Sequence, residues 1–318
     1  MDSSMDGVIL VTGGAGFIGS HLVEALIHRG YTVRILDDLS TGHLNNLRHL
    51  PSCPELIQAS VTDPGALEQA LQNVRIVFHL AALASVARSI EHPAATHHAC
   101  ATGTLLLLDH ARRHRVQRIV YAASSSAYGG LQGADQTQSE SQPVHPQSPY
   151  AAAKLAGELY LQAFAHSFGL QTVALRFFNI FGPRQRADSP YSGVIPLFIA
   201  AMLQHQPPTI YGDGTQSRDF TYVENAVQAL LRAAFTSSLA ASTYNVGTGR
   251  SISILQLVDA LNRILGTHLQ PRFAPPRPGD VRYSCADIRR IQQDLGYQPT
   301  VTFEEGLERT VQWFRFPD

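Results

Sequence analysis

Cysteine is scarce: the 318 residues hold three, Cys53, Cys100 and Cys285. An odd number without metal-ligand spacing excludes a disulfide framework. Charge of one sign is missing too, with 24 basic against 25 acidic side chains and a formal net charge of −1. General nucleic-acid binding and adhesion to anionic membranes both need a basic excess, so neither is expected. No apolar run approaches the roughly 18 residues that cross a bilayer. The opening MDSSMDGVIL lacks the basic then apolar order of a secretory leader. A soluble cytoplasmic protein is the expectation, with a chain long enough for one large or two modest domains. Lysine is the rarest charged residue: of the 24 basic side chains 23 are arginine, and the exception is Lys154. Genome composition can favour arginine, but it does not explain the exception.

What is present has a regular rhythm. VILVT (8–12), TVRILD (32–37), ELIQA (55–59), IVFHLA (76–81), RIVYAAS (118–124) and TVALRF (172–177) are short apolar runs bounded by turn or polar residues, and read as buried strands. Helical segments are expected over 17–29, 66–71, roughly 94–114 and 151–168. Alternation of this kind predicts an α/β protein with a parallel sheet covered on both faces. Past Phe178 the rhythm breaks into proline- and glycine-rich stretches (FGPRQ, SPYSG, HQPPT, YGDGTQ, FAPPRPGD), which fit binding loops. The expected division is 1–178, with 221–248 returning to it, and a smaller α/β cap over 179–318.

The first strand runs into GGAGFIGSHL, which puts Gly13, Gly16 and Gly19 in a G-x-x-G-x-x-G pattern between strand and helix. Such glycines allow a tight turn, close approach of a pyrophosphate and close helix–strand packing, while the N–H groups of Phe17 and Ile18 open the helix toward phosphate. Asp37 ends the second strand 18 residues beyond Gly19. A carboxylate there accepts from an adenosine ribose and repels a 2′-phosphate, and with Asp38 beside it NAD is favoured over NADP.

Ser124, Ser125 and Ser126 close the fifth strand, at the mouth of the sheet. Tyr150 and Lys154 lie four apart in SPYAAAKLAGE, on one helical face. A phenol with a pKa near 10 is a poor base at neutral pH. Lowering it by about three units takes roughly 4 kcal/mol, which a buried ammonium and a cationic nicotinamide can supply. The one lysine in the chain falls where such chemistry needs it. Other clusters read more plainly. His97, His98 and Cys100 fall on different helix faces without a fourth ligand, so no metal is expected. His79 reads as a hydrogen-bonded core histidine, and 132–149 as a surface loop leading to Tyr150.

At this point the sequence resembles the extended short-chain dehydrogenase/reductases, most closely the UDP-sugar 4-epimerases, nearly end to end. The motifs are TGGAGFIG, DDLSTG, FHLAA, SSSAYG, Tyr150/Lys154, RFFNIFGPRQ, SGVIP, YGDGTQSRDFTYV, YNVGTG and RPGD. The resemblance implies a doubly wound Rossmann sheet, NAD that stays bound and a UDP-hexose inverted at C4 through a transient 4-keto sugar. Tyr150 would take the proton of the 4-hydroxyl, Lys154 would hold the nicotinamide ribose, and Ser124 would bond the 4-oxygen. Ser60, Val61, Leu80, Ala81, Ala82 and Phe177 would line the cofactor. Ser85, Ser125, Ser126, Asn179, Val194, Tyr211, Arg218, Arg277 and Asp280 would hold the UDP-sugar. Ser284, where bulkier members carry tyrosine, would leave room for an N-acetyl group at C2. A homodimer pairing the helices 94–114 and 151–168 is also implied. The chain departs from the family in carrying Cys100 for a usual asparagine, and Ser60-Val61 for Asp-Ile.

Two neighbouring activities share the scaffold. A nucleotide-sugar 4,6-dehydratase needs an acid and a base directly after the strand-five hydroxyl, where this chain has Ser125 and Ser126. A UDP-glucuronate 4-epimerase would want an arginine for the carboxylate, and Arg88, Arg184 and Arg186 are candidates. A dehydrogenase releasing NADH and a non-catalytic NAD sensor are further alternatives.

Overall fold

The computed structural model describes residues 7–189, 191–276 and 281–316. Its first half is β1 (Val8–Thr12), α1 (Phe17–Ile27), β2 (Thr32–Leu36), β3 (Glu55–Ile57), α2 (Pro64–Ala70), β4 (Val74–His79), α3 (Val86–Glu91), α4 (Pro93–His97), α5 (Gly103–Arg113), β5 (Arg118–Ser124), α6 (Pro149–Phe168) and β6 (Gln171–Phe177). The second half adds β7 (Ile180–Phe181), α7 (Val194–Leu203), β8 (Thr209–Tyr211), β9 (Ser217–Arg218), β10 (Thr221–Tyr222), α8 (Val223–Phe235), β11 (Thr243–Val246), β12 (Ile252–Ser253), α9 (Ile254–Leu265), β13 (Arg272–Ala274), α10 (Arg289–Leu295) and α11 (Phe303–Arg315). No described helix is long and apolar enough to cross a membrane.

Seven parallel strands form the central sheet in the order β11-β6-β5-β4-β1-β2-β3. Strand order reverses between β1 and β4, which opens a crevice at their carboxyl ends. Side chains alternate between faces, and both faces are apolar because both are covered. Ile9, Val11, Ile35 and Phe78 pack with α1 and α8 on one side. Leu10, Leu36, Val77 and Tyr121 pack with α2, α5 and α6 on the other. A third core, of Phe181, Phe198, Ile199, Tyr222, Leu257 and Phe303, joins α7, α9 and α11.

The six strands expected from sequence are present, two with the expected ends and the others with ends shifted by one or two residues in either direction. The seventh, β11, is not legible as a strand in the sequence: TYNV is four residues long and follows an irregular stretch, and its pairing with β6 (Tyr244 opposite Leu175) is a tertiary event. Ile291, Leu295 and Tyr297 also join the first core, so a piece of the chain beyond 248 returns to the sheet. The helix expected over 94–114 is interrupted by a π-helical turn, His98–Thr102.

Candidate active site

A cavity of about 930 Å³ lies over the crevice, and every candidate residue within the described part of the chain lines it. Arg277 and Asp280 fall outside the described residues.

The turn from β1 into α1 is shaped by backbone demands. Gly13 has φ +71, and a Cβ there would stand 2.8 Å from the Ala81 nitrogen. A Cβ on Gly19 would collide with the Gly13 carbonyl oxygen. Gly16 caps α1 without any side-chain hydrogen bond, which leaves the first N–H groups of the helix aimed into the cavity beside Phe17 and Ile18. At the end of β2 the buried Asp37 carboxylate accepts from the Ala15 N–H (2.9 Å) and the Leu39 N–H (2.8 Å). Burial raises its pKa. Asp38 is exposed and accepts from the Ser40 N–H. The Ser60 hydroxyl pairs with that of Thr62, while Val61 packs against Gly103. Leu80, Ala81 and Ala82 leave β4, the Ala81 N–H donating to Thr12 Oγ1 at 3.2 Å. This glycine cradle, uncapped helix start and carboxylate fit an adenine dinucleotide.

Ser124 ends β5, and its Oγ accepts from both the N–H and the hydroxyl of Ser126. Tyr150 and Lys154 lie on the first turns of α6, whose Ser148 cap and Pro149 fix where it starts. Tyr150 packs with Ala82, Cys100 and Ala153. The Ser124 hydroxyl is near enough to favour its phenolate, yet burial dominates and holds the phenol above its ordinary pKa. Burial likewise pulls Lys154 down to about 8, and its Nζ stands 4.2 Å over the Tyr121 ring. The sequence suggests that the ammonium lowers the Tyr150 pKa; the protein alone does the opposite. Two desolvated groups each resist ionisation, and Lys154 directs its charge at an aromatic face.

The other candidates sit above. Phe177 is buried at the end of β6, and Asn179 is exposed just beyond it. Ser85 caps α3, Val194 begins α7 and Tyr211 ends β8. Arg218 on β9 donates through Nη1 to the carbonyls of Ser217 and Arg282. Ser284 is buried with its Oγ 3.5 Å from Gln138 Oε1. His79 is a core histidine, bonded to Thr12 and Thr104 and pushed down to about 3 by burial. No group of three His, Cys, Asp or Glu among the described residues is arranged to hold a metal.

Two segments depart from the sequence expectation or lie beyond it. The stretch 132–149 is not merely a surface loop: Gln138 is buried, bonds Cys285 and Asp287 through its backbone, and lines the cavity. The loop after β7 lines it with Gln185, Tyr191 and Ser192. Its proline and glycine density marks a binding loop, but nothing in the spacing says which side chains turn inward.

The family model described as "NAD dependent epimerase/dehydratase family" matches residues 9–247. This chain belongs to that family. A UDP-glucose 4-epimerase of Mycolicibacterium smegmatis is 38% identical over 311 residues, covering 96% of this chain and 98% of the relative. Among solved structures, the UDP-N-acetylglucosamine 4-epimerase of Methanobrevibacter ruminantium, in complex with UDP-N-acetylmuramic acid, superimposes with a TM-score of 0.92 at 39% identity, covering 98% of each chain. The UDP-glucose 4-epimerase of Thermus thermophilus, in complex with NAD, gives 0.90 at 36%, covering 98% of this chain and 100% of that one. The cofactor of this family member is therefore NAD.

Proposed function

We propose that the protein is a UDP-sugar 4-epimerase that interconverts UDP-glucose and UDP-galactose, with room for the N-acetylated pair. The observation that carries this reading is the convergence of Ser124, Tyr150 and Lys154 at the mouth of β5, in one cavity with the glycine cradle. NAD, when bound, takes and returns the C4 hydride. Tyr150 holds and moves the proton of the 4-hydroxyl, and Ser124 orients that oxygen. Lys154 holds the nicotinamide ribose and, together with the cationic ring, offsets the burial that opposes the phenolate. Residues 1–178 with 221–248 serve as the cofactor half. The cap grips the nucleotide through Asn179, Val194, Tyr211 and Arg218, with Arg277 and Asp280 as further contacts, and two arginines suit a diphosphate. Leu159 and Tyr160, exposed on α6, support a homodimer through that helix.

The serines after Ser124 favour epimerisation over 4,6-dehydration, since neither Ser125 nor Ser126 supplies an acid or a base for loss of water. The experiment is to incubate the purified protein with UDP-glucose without added NAD and to follow the products by NMR. C4-inverted sugar is expected. A 4-keto-6-deoxy product would assign a dehydratase, and NADH in proportion to sugar consumed a dehydrogenase.

The N-acetyl tolerance rests on the small Ser284. Ser284→Tyr is expected to lower kcat/KM for UDP-GlcNAc by about ten- to a hundredfold, the usual cost of overfilling a pocket, with UDP-glucose spared. Equal loss on both sugars would remove Ser284 from the selectivity.

A further inference from the structure

Four arginines of the described residues line the cavity: Arg88, Arg184, Arg186 and Arg218. Arg184 is tied to Glu24 on α1 (2.6 Å) and to His49. Arg186 makes a two-pronged pair with Asp188. Arg218 is spent on backbone carbonyls. Arg88 differs. It is half-buried on α3 and forms no side-chain hydrogen bond or ion pair among the described residues. A carboxylate is close at hand on its own helix, Glu91 at i+3, but Glu91 is engaged by the Tyr191 hydroxyl. That bond seats the loop after β7 on α3, as Arg184–Glu24 seats its start on α1, and the Arg88 charge reaches the Tyr191 phenol. The loop thus borders the cavity, with a guanidinium at its far anchor that makes no side-chain hydrogen bond or ion pair among the described residues. No nitrogen of Arg88 is sealed from solvent without a partner, so its guanidinium is free to turn to a ligand entering the cavity, which must then supply an acceptor in place of water. Ser85, a turn earlier, faces the same space.

We propose that Arg88 is an anion-binding residue of this site, taking a carboxylate or phosphate oxygen of a bound ligand. Two sources carry that chemistry: a sugar carboxylate at C6, or the dinucleotide diphosphate. The proposal rests on the UDP-sugar reading of the cavity. Arg88 has no protein partner to lose, so Arg88→Gln is expected to fold with an unchanged melting temperature, and Arg88→Lys keeps the charge as a control.

The test uses the holoenzyme and measures binding of UDP-glucose and UDP-glucuronate by calorimetry, together with the NAD content of the purified protein. If the sugar carboxylate is the source, Arg88→Gln weakens UDP-glucuronate by about tenfold or more and leaves UDP-glucose and NAD content unchanged. If the diphosphate is the source, NAD content falls and both sugars weaken alike until NAD is added back. Arg88→Lys should recover part of either loss. The assignment is overturned if NAD content and both affinities stay within twofold of wild type. None of these readouts requires turnover, so failure of the wild type to invert C4 would count against the epimerase reading alone.

Discussion

Tyr150→Phe is expected to reduce turnover by about a hundred- to ten-thousandfold, the range of a positioned proton-transfer group, while NAD content and UDP-sugar affinity stay near wild type. The substitution removes one oxygen from a ring packed by Ala82, Cys100 and Ala153, so the wall of the cavity is kept. The phenol is also a group whose ionisation the protein opposes: burial raises its pKa, and only the Ser124 hydroxyl among its neighbours pulls the other way. Loading with NAD should therefore shift the acid limb of the rate profile to lower pH than the protein scaffold alone would set. Steady-state kinetics with parallel cofactor assay decides the matter. Unchanged turnover in Tyr150→Phe would remove the phenol from the reaction.

Lys154→Met is expected to have two opposite effects. Turnover should fall by about a hundredfold or more, because no other lysine exists in the chain to hold the ribose or support the phenolate. The cofactor-free protein should become more stable at pH 7. Lys154 titrates at about 8 in the fold against 10.5 in a model peptide, so the folded state carries the charge at a cost of up to about 3 kcal/mol. Attraction to the Tyr121 ring offsets part of this, leaving a gain of about 1–3 kcal/mol. The sign follows from proton uptake. Below about 8 both states are protonated and the cost is complete. Between about 8 and 10.5 the unfolded chain binds more protons, so wild-type stability rises with pH and the gap to the methionine variant narrows. Urea unfolding of cofactor-stripped protein at pH 7 and pH 9 measures this. A methionine variant less stable than wild type at pH 7 would show that the ammonium stabilises the empty fold.

The parts legible in the sequence are those dictated by short-range rules. Strand and helix periodicities mark the first six strands; Gly13 stands where a left-handed backbone and a missing Cβ are both required, and Gly19 where a missing Cβ is. The i, i+4 spacing puts Tyr150 and Lys154 on one face of α6. What escapes depends on distant chain. β11 is defined by its partner β6 rather than by its four residues, and Gln138 is buried by its pairing with the segment around Cys285. The mutual placement of ionisable groups is equally hidden: nothing in SPYAAAK tells that Lys154 lies over the ring of Tyr121, thirty-three positions away on another element. Arg88, Arg184 and Arg186 look equivalent in sequence as candidates for an anion, and only the locations of Glu24, Asp188 and Tyr191 distinguish them.

The most direct test of the central claim, that Tyr150 moves a proton at the same carbon that gives up a hydride, uses UDP-glucose carrying deuterium at C4. The account expects the galactose-configured product to retain deuterium at C4 without exchange with solvent, a primary isotope effect on turnover, and loss of both conversion and isotope transfer in Tyr150→Phe. Deuterium washed into solvent, or inversion that persists in Tyr150→Phe, would contradict it.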